Sequence, residues 1–429
     1  MKRLWPGRLM LLASSSLLAL CAGELALRWW FRGTVDQMLA SRVTGVEDAG
    51  RRILCIGDSY TFGLYYRSEE SYPGRLQQML NLDSSGPPTA VINAGIPAQN
   101  TAQIAAALPE QLALFEPQVV VLMAGHNNRW NLADPRRRSA VQGFLDDLVL
   151  VRLWRIATTP DVGAASTDRI SSWSAEQVGV SVAGETSVIE IDKTLDRRDD
   201  AALIESCHMD YSSIWQSCQA AGAALVVASY PSPEPGYEAP AEAARQFAKD
   251  HPGVLLADCR RQFEALLAER PYHELLIPGD RHPTDRGHYW LARRLMAVLE
   301  VARLAALPAG LGDLPEALYP ARIEVHPDQQ LRLKGPPGSG FQVLLARSNS
   351  PPQSFGSLTI PVADDDIFQQ FRERDELKGS LDSSGVAEVR LPPEAAEAQV
   401  AAVVIFHDLR LKVPELLVRE VSSAVQLQR

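Results

Sequence analysis

The sequence predicts an α/β fold with a parallel sheet covered on both faces, followed by an all-β domain and preceded by an N-terminal anchor helix. Three observations carry this expectation. Between residues 51 and 300, five short apolar runs alternate with amphipathic segments. Continuous apolar strands separated by helices are what a sheet buried on both faces requires. After Leu307 the composition shifts to short alternating runs punctuated by Pro and Gly. Ahead of both, Lys2, Arg3 and Arg8 lead into an apolar stretch over 9–27 broken by Glu24 alone, and Trp29, Trp30 and Phe31 follow.

Each element can be justified in order. The 19 residues of 9–27 just span a bilayer, and the aromatic cluster suits its interface. The basic leading flank keeps that end cytoplasmic, so residues 1–32 are expected to anchor an extracytoplasmic main domain at the membrane. A cleaved signal peptide cut near Cys21 and Gly23, or a lipoprotein at Cys21, are the competing readings, and each exports the main domain. Residues 33–50 read as a polar linker. The apolar runs 51–58, 90–96, 118–124, 223–229 and 253–257 read as the strands of a domain over 51–305. Segments 71–82, 99–115, 201–221 and 283–300 read as its helices. On 201–221, Leu203, Ile204, Cys207, Tyr211, Ile214, Trp215 and Cys218 share one face, and Gly222 stops the helix. Pro283 is expected to open the last helix.

Residues 129–200 interrupt the rhythm. A helix is expected over 139–156, and 157–200 read as polar and aperiodic, which makes this insertion a candidate lid. In 306–429, seven runs (322–325, 330–334, 341–346, 357–362, 387–391, 401–406 and 416–421) predict a β-sandwich. Asp364, Asp365 and Asp366 read as a turn, since three adjacent carboxylates lack the spacing of a calcium loop.

Charge and cysteine usage exclude some functions. A formal net charge of −10 with no long basic block argues against nucleic acid as a partner. None of the five cysteines forms a Cys-x-x-Cys pair, so a zinc or redox centre is not expected. Cys207 and Cys218 lie roughly 16 Å apart along one helix, too far for a disulfide. Cys218 and Cys259 stay open as a pair.

Four stretches fall where a parallel sheet gathers its chemistry, at the carboxyl ends of strands. The first strand ends in Gly57-Asp58-Ser59, which suits a sharp strand-to-helix turn that presents a hydroxyl. Asp58 and Thr61 also suit simple helix capping. The second strand ends in Asn93-Ala94-Gly95-Ile96-Pro97-Ala98-Gln99-Asn100, the third in Gly125-His126-Asn127-Asn128, and Asp280-Arg281-His282-Pro283 precedes the last helix. A serine hydroxyl needs an adjacent base to become a nucleophile. His282 supplies an imidazole, and Asp280 a carboxylate to fix its tautomer. His126 reads as a packing or substrate-contact residue. Trp130 and Trp154 read as core first and as pocket walls second, and Tyr230-Pro231 as a strand-end turn.

Together these stretches resemble the SGNH (GDSL-type) hydrolase superfamily over about residues 50–300. The resemblance implies a flavodoxin-like three-layer α/β/α sandwich with serine esterase chemistry, Ser59 as nucleophile and His282 as base. It also implies an oxyanion hole from the Ser59 N–H, the Ala98 N–H and the Asn127 side-chain amide. The implied substrate is a small-molecule or glycan ester, with no cofactor and no metal. Three departures stand out. Asn128 replaces the usual Asp, and Ala98 stands where the family has an oxyanion glycine, with Gly95 as the alternative. Asp280 lies two residues before His282 rather than three, a spacing that Asp285 and His288 meet literally. Two other functions fit the same residues. One is an O-acyltransferase acting on a cell-surface polysaccharide. The other is a catalytically degenerate protein whose C-terminal domain binds glycan or protein.

Overall fold

The computed structural model describes residues 49–82, 87–131, 134–137, 177–182, 185–190, 199–306, 308–326, 329–355, 358–406 and 418–427, with N-terminal positions 15, 18, 19 and 21–26. The expected helix 139–156, most of the anchor stretch 9–27 and most of the candidate lid lie outside the described residues. Among the described residues, no helix is long and apolar enough to cross a membrane.

The first elements are β1 (Arg51–Gly57), α1 (Ser59–Phe62), α2 (Tyr72–Leu80), β2 (Thr89–Gly95), α3 (Thr101–Phe115), β3 (Val119–Met123), β4 (Gln177–Val182) and β5 (Glu185–Glu190). There follow α4 (Asp200–Ala220), β6 (Ala224–Ala228), α5 (Glu238–Asp250), β7 (Val254–Ala257), α6 (Cys259–Leu267), α7 (Tyr272–Leu275) and α8 (Asp285–Val301). Five strands form one sheet in the order β2-β1-β3-β6-β7. β1 pairs in parallel with β2 and β3, and β3 with β6. Setting aside β4 and β5, this is the 2-1-3-4-5 order of flavodoxin-like sheets, whose switch point lies between β1 and β3. β4 and β5 pair only with each other, antiparallel, from Gln177↔Glu190 to Val182↔Glu185. The segment that reads as aperiodic therefore holds a two-stranded ladder.

Contacts divide the chain into two compact units. The first comprises Met1–Phe62, Ser84–Ala228 and Glu242–Leu256, and the second Gly63–Asp83, Ser229–Ala241 and Ala257–Arg429. In the first unit, Leu54, Ile56, Ile92, Val120, Leu122, Leu225 and Val227 form one sheet face. They pack with Ile104 and Leu108 of α3, Cys207, Tyr211 and Ile214 of α4, and Phe247 of α5. Full burial of each large aliphatic side chain contributes roughly 1.5–3 kcal/mol. Residues of the opposite face, Ile53, Cys55, Val121 and Val226, are buried as well. That accounts for runs that are apolar throughout rather than alternating. Helix α3 begins at a capping box, with Asn100 and Gln103 each satisfying the other's backbone N–H. Cys218 and Cys259 are free and buried, which settles their pairing, and burial pushes both thiols up to about 12.

In the second unit, β8 (Arg322–His326), β9 (Gln330–Lys334), β10 (Gly340–Ala346), β11 (Gln353–Phe355) and β12 (Leu358–Ile360) come first, then α9 (Asp366–Phe371). β13 (Lys378–Ser380), β14 (Val386–Arg390), β15 (Val400–Phe406), β16 (Val418–Val421) and β17 (Val425–Gln426) complete it. Antiparallel sheets β14-β9-β8 and β13-β10-β15-β16, with β17 on β15, share one core. Ile323, Leu331, Leu333 and Val389 from the first meet Phe341, Val343, Val403 and Ile405 from the second. The acidic triplet is a helix start rather than a turn, because the Asp365 side chain accepts from the Phe368 N–H and caps α9. Pro283, likewise, does not open α8. The Thr284 hydroxyl accepts from the Gly287 N–H at 3.0 Å and takes the cap, leaving proline one position outside.

Candidate active site

The turn that carries Ser59 belongs to the first unit. β1 ends at Gly57, where a Cβ would lie 2.2 Å from Thr61 Oγ1 and 2.3 Å from the Met123 carbonyl oxygen. Only glycine lets the chain turn this tightly over β3. Asp58 follows, buried, and its Oδ1 accepts from the Tyr60 N–H at 3.0 Å while its carbonyl accepts from the Phe62 N–H at 2.9 Å. Ser59 thus stands at the first position of α1, half-buried, straight off the carboxyl end of β1. Asn93 secures the turn from β2: its Nδ2 donates to the Phe62 carbonyl at 3.2 Å and its Oδ1 accepts from the Gly95 N–H at 3.1 Å.

The two oxyanion candidates differ in how their backbone is held. The Gly95 N–H is committed to Asn93, and a Cβ there would meet the Phe62 nitrogen at 2.4 Å. Gly95 is glycine so that α1 can lie against β2. Ala98 instead holds φ at 66°, in the left-handed region that a glycine would occupy at no steric cost. Its carbonyl accepts from Asn131 Nδ2 at 2.7 Å, and Asn131 also donates to Gln103 Oε1 at 2.8 Å. Sequence reasoning missed Asn131, because a lone Asn four residues past Asn127 carries no motif.

Asn127 links the loops. Its Nδ2 donates to the Gln99 carbonyl at 2.9 Å and lies 3.4 Å from Asp58 Oδ2. The longer contact is weak, so that N–H can turn to a stronger acceptor. Asn128 works one layer below. Its Oδ1 accepts from the Thr101 N–H at 3.0 Å, and its Nδ2 donates to Thr101 Oγ1 at 2.7 Å and Ser206 Oγ at 3.1 Å. Thr101 in turn donates to buried Asp210. A carboxylate at 128 could not donate, which gives the departure from Asp a structural reason.

The loop that carries His282 belongs to the second unit. Ile277 N–H donates to the His282 carbonyl and Arg281 N–H to the Ile277 carbonyl, each at 2.8 Å, which curls 277–282 into a tight turn. Gly279 and Arg281 have φ of 76° and 77°. The left-handed residue between Asp280 and His282 folds them onto each other: His282 Nδ1 hydrogen-bonds Asp280 Oδ1, and the His282 N–H reaches the same oxygen at 3.3 Å. The two-residue spacing therefore brings the Asp280 carboxylate onto the imidazole. Burial pushes the Asp280 carboxyl up, but His282 and the hydrogen bonds from His282 and Tyr65 outweigh it, and the group lies below the ordinary carboxylate range.

The literal alternative pair comes apart. Asp285 Oδ1 receives Arg75 Nη2 at 2.7 Å and Nε at 3.2 Å, and its Oδ2 accepts from the Leu318 N–H at 2.8 Å. His288 is fully buried within α8, and its Nδ1 accepts from the Tyr72 N–H at 3.2 Å, the first backbone donor of α2. Burial, then the charges of His282 and Arg75, push its imidazole down to about 3. A histidine so placed is a structural acceptor. His126 is half-buried, Trp130 and Tyr230 are buried, and Trp154 lies outside the described residues. Among the described residues, no group of three or more His, Cys, Asp or Glu is arranged to hold a metal ion.

The family model described as GDSL-like lipase/acylhydrolase matches residues 55–290. Solved structures of similar outline include TesA, 17% identical, covering 58% of this chain and 99% of that one with a TM-score of 0.36. LAE5, an alpha/beta hydrolase from the metagenome of Lake Arreo, Spain, is 15% identical, with coverages of 62% and 100% and a TM-score of 0.39. Axe2, an acetylxylan esterase from Geobacillus stearothermophilus, is 17% identical, with coverages of 58% and 94% and a TM-score of 0.38. No curated protein matches the sequence.

Proposed function

Because the chain belongs to the GDSL-like lipase/acylhydrolase family and is a serine ester hydrolase, we propose that Ser59 is its nucleophile, His282 its base and Asp280 the anchor of that base. The Asn127 amide and the backbone N–H groups of Ser59 and Ala98 form the oxyanion hole. The observation that carries this reading is the hydrogen bond between His282 Nδ1 and Asp280. It supports a tautomer with the proton on Nδ1, which leaves Nε2 for proton transfer.

The Ser59 hydroxyl attacks the ester carbonyl carbon while its proton passes to His282 Nε2, and the carbonyl electron pair moves onto oxygen. Asp280 stabilises the imidazolium that results. Collapse of the tetrahedral intermediate expels the alcohol, which takes the proton back from His282 and leaves an acyl–Ser59 ester. Water then repeats the sequence, releasing the carboxylic acid and free serine. Loss of one oxyanion donor costs about 100- to 1,000-fold in rate. We place this chemistry outside the cytoplasm on a membrane-anchored chain, supported by the basic flank and apolar stretch of residues 2–27. The substrate is then an O-acyl ester on a small molecule or a glycan.

A panel of p-nitrophenyl esters and acetylated glycans, assayed with and without glycan acceptors, tests the reading. The expected result is free acid released in both conditions, reduced to background by Ser59→Ala. Turnover unchanged in Ser59→Ala would overturn it, and so would acyl transfer to acceptors without acid release.

A further inference from the structure

Tyr65 lies in the second unit, on the segment that also carries α2, and no motif marks it. Its φ is 73°, a left-handed conformation that a bulky residue adopts only under constraint from its surroundings. The turn around it is tight. Gly63 has φ 81° and would place a Cβ 2.5 Å from Ser71 Cβ, and the Tyr66 N–H closes back on the Gly63 carbonyl at 2.9 Å. Strain of this kind concentrates where a side chain must be aimed. The Tyr65 hydroxyl donates to Asp280 Oδ2 at 2.8 Å, across 215 residues of sequence. Its ring also meets the His282 ring edge to face, with centroids 6.0 Å apart and planes at 89°.

We propose that Tyr65 is a positioning residue for the base, clamping the outer oxygen of Asp280 and the flank of His282 so that the imidazole is held in one orientation and its basicity is moderated. The proposal rests on the reading of His282 as base. A carboxylate has two oxygens to place. Oδ1 takes both donors of His282, and Oδ2 takes the Tyr65 hydroxyl, so rotation of the carboxylate would break contacts at both ends. A donor on Oδ2 also draws off part of the charge that would otherwise raise the pKa of His282. The other charged groups around the loop are committed elsewhere. Arg281 Nε pairs with Glu234 at 2.6 Å, Glu234 also accepts from the Tyr272 hydroxyl at 2.8 Å, and His288 is held neutral by burial.

The test compares full-length wild type, Tyr65→Phe, Tyr65→Gly and His282→Ala in the pH dependence of kcat and kcat/KM on p-nitrophenyl acetate, alongside urea unfolding. Tyr65→Phe keeps the ring and removes one hydrogen bond to a charged acceptor. Its kcat should fall roughly tenfold with KM little changed, and the acid limb of kcat/KM should move to higher pH by about half a unit or more. Tyr65→Gly removes the ring and the hydroxyl together, so its kcat should fall further than that of Tyr65→Phe, with the acid limb moved at least as far. Wild-type kcat and pH profile in Tyr65→Phe would overturn the proposal. A loss of rate that merely tracks lost stability, with an unmoved profile, would overturn it too. Full activity in His282→Ala would instead remove the assignment of the base, and this proposal with it.

Discussion

An alanine at φ 66° would be an error of design if its side chain mattered. In the proposed oxyanion hole the group that Ala98 supplies is its N–H, which alanine keeps. The left-handed conformation costs about 1–2 kcal/mol relative to a permitted one, and Asn131 on the Ala98 carbonyl helps to hold it. Ala98→Gly removes that strain but gives the unfolded chain more freedom, worth about 0.4–1 kcal/mol in the opposite sense. The expected outcome is a stability change within about 1 kcal/mol and retained kcat on p-nitrophenyl acetate. A tenfold loss of kcat at unchanged stability would show that the methyl, and not the N–H, is what position 98 supplies. The candidate site was legible in the sequence where side-chain chemistry announces itself: a serine after Gly-Asp, an asparagine after Gly-His, a histidine before proline. It was not legible where backbone conformation decides. The left-handed Arg281 lets Asp280 reach His282 at two-residue spacing, and the left-handed Tyr65 reaches Asp280 from far along the chain.

Two helices of the second unit are coupled through one buried imidazole, for His288 in α8 accepts the first N–H of α2. The coupling has a pH signature. Burial, then His282 and Arg75, place the folded His288 at about 3, well below the ~6.5 of an unfolded chain. As pH falls from about 6.5 toward 3, the unfolded state takes up a proton that the folded state refuses. Stability is therefore full above 6.5 and is lost by up to about 1.4 kcal/mol per pH unit below it. His288→Asn keeps an acceptor for Tyr72 and removes the titration. Urea unfolding at pH 7, 6, 5 and 4 should show the stability difference between wild type and variant closing as pH falls, and a constant difference would contradict the assignment. The elements themselves were largely legible: all five strands of the parallel sheet fall within a residue or two of the apolar runs, because burial on both faces keeps most of their positions apolar. The pair β4 and β5 was missed although Gln177-Val178-Gly179-Val180-Ser181-Val182 alternates with a period of two. Polar surroundings hid it. The strands β11, β13 and β17, of two or three residues, are too short for any period to show.

At the scale of the whole molecule, the C-terminal sheets are tied into the second unit by charge. Buried Glu70 pairs with Arg419, whose guanidinium lies 4.9 Å over the Tyr66 ring. Arg75 donates to the Pro315 and Glu316 carbonyls as well as to Asp285. Composition predicted a separate all-β domain after Leu307, and pairings across as many as 349 residues are what composition cannot report. Ser59 and Asn127 belong to one unit, and Asp280 and His282 to the other. The proposed function requires that His282 activate Ser59. The most direct measurement is covalent labelling of the full-length chain by a fluorophosphonate probe, with the adduct located by peptide mass spectrometry and its rate followed in wild type and His282→Ala. The predicted result is a single adduct on Ser59, forming at least about 100-fold more slowly without the imidazole. Labelling of His282→Ala at the wild-type rate, or an adduct on any other residue, would contradict it.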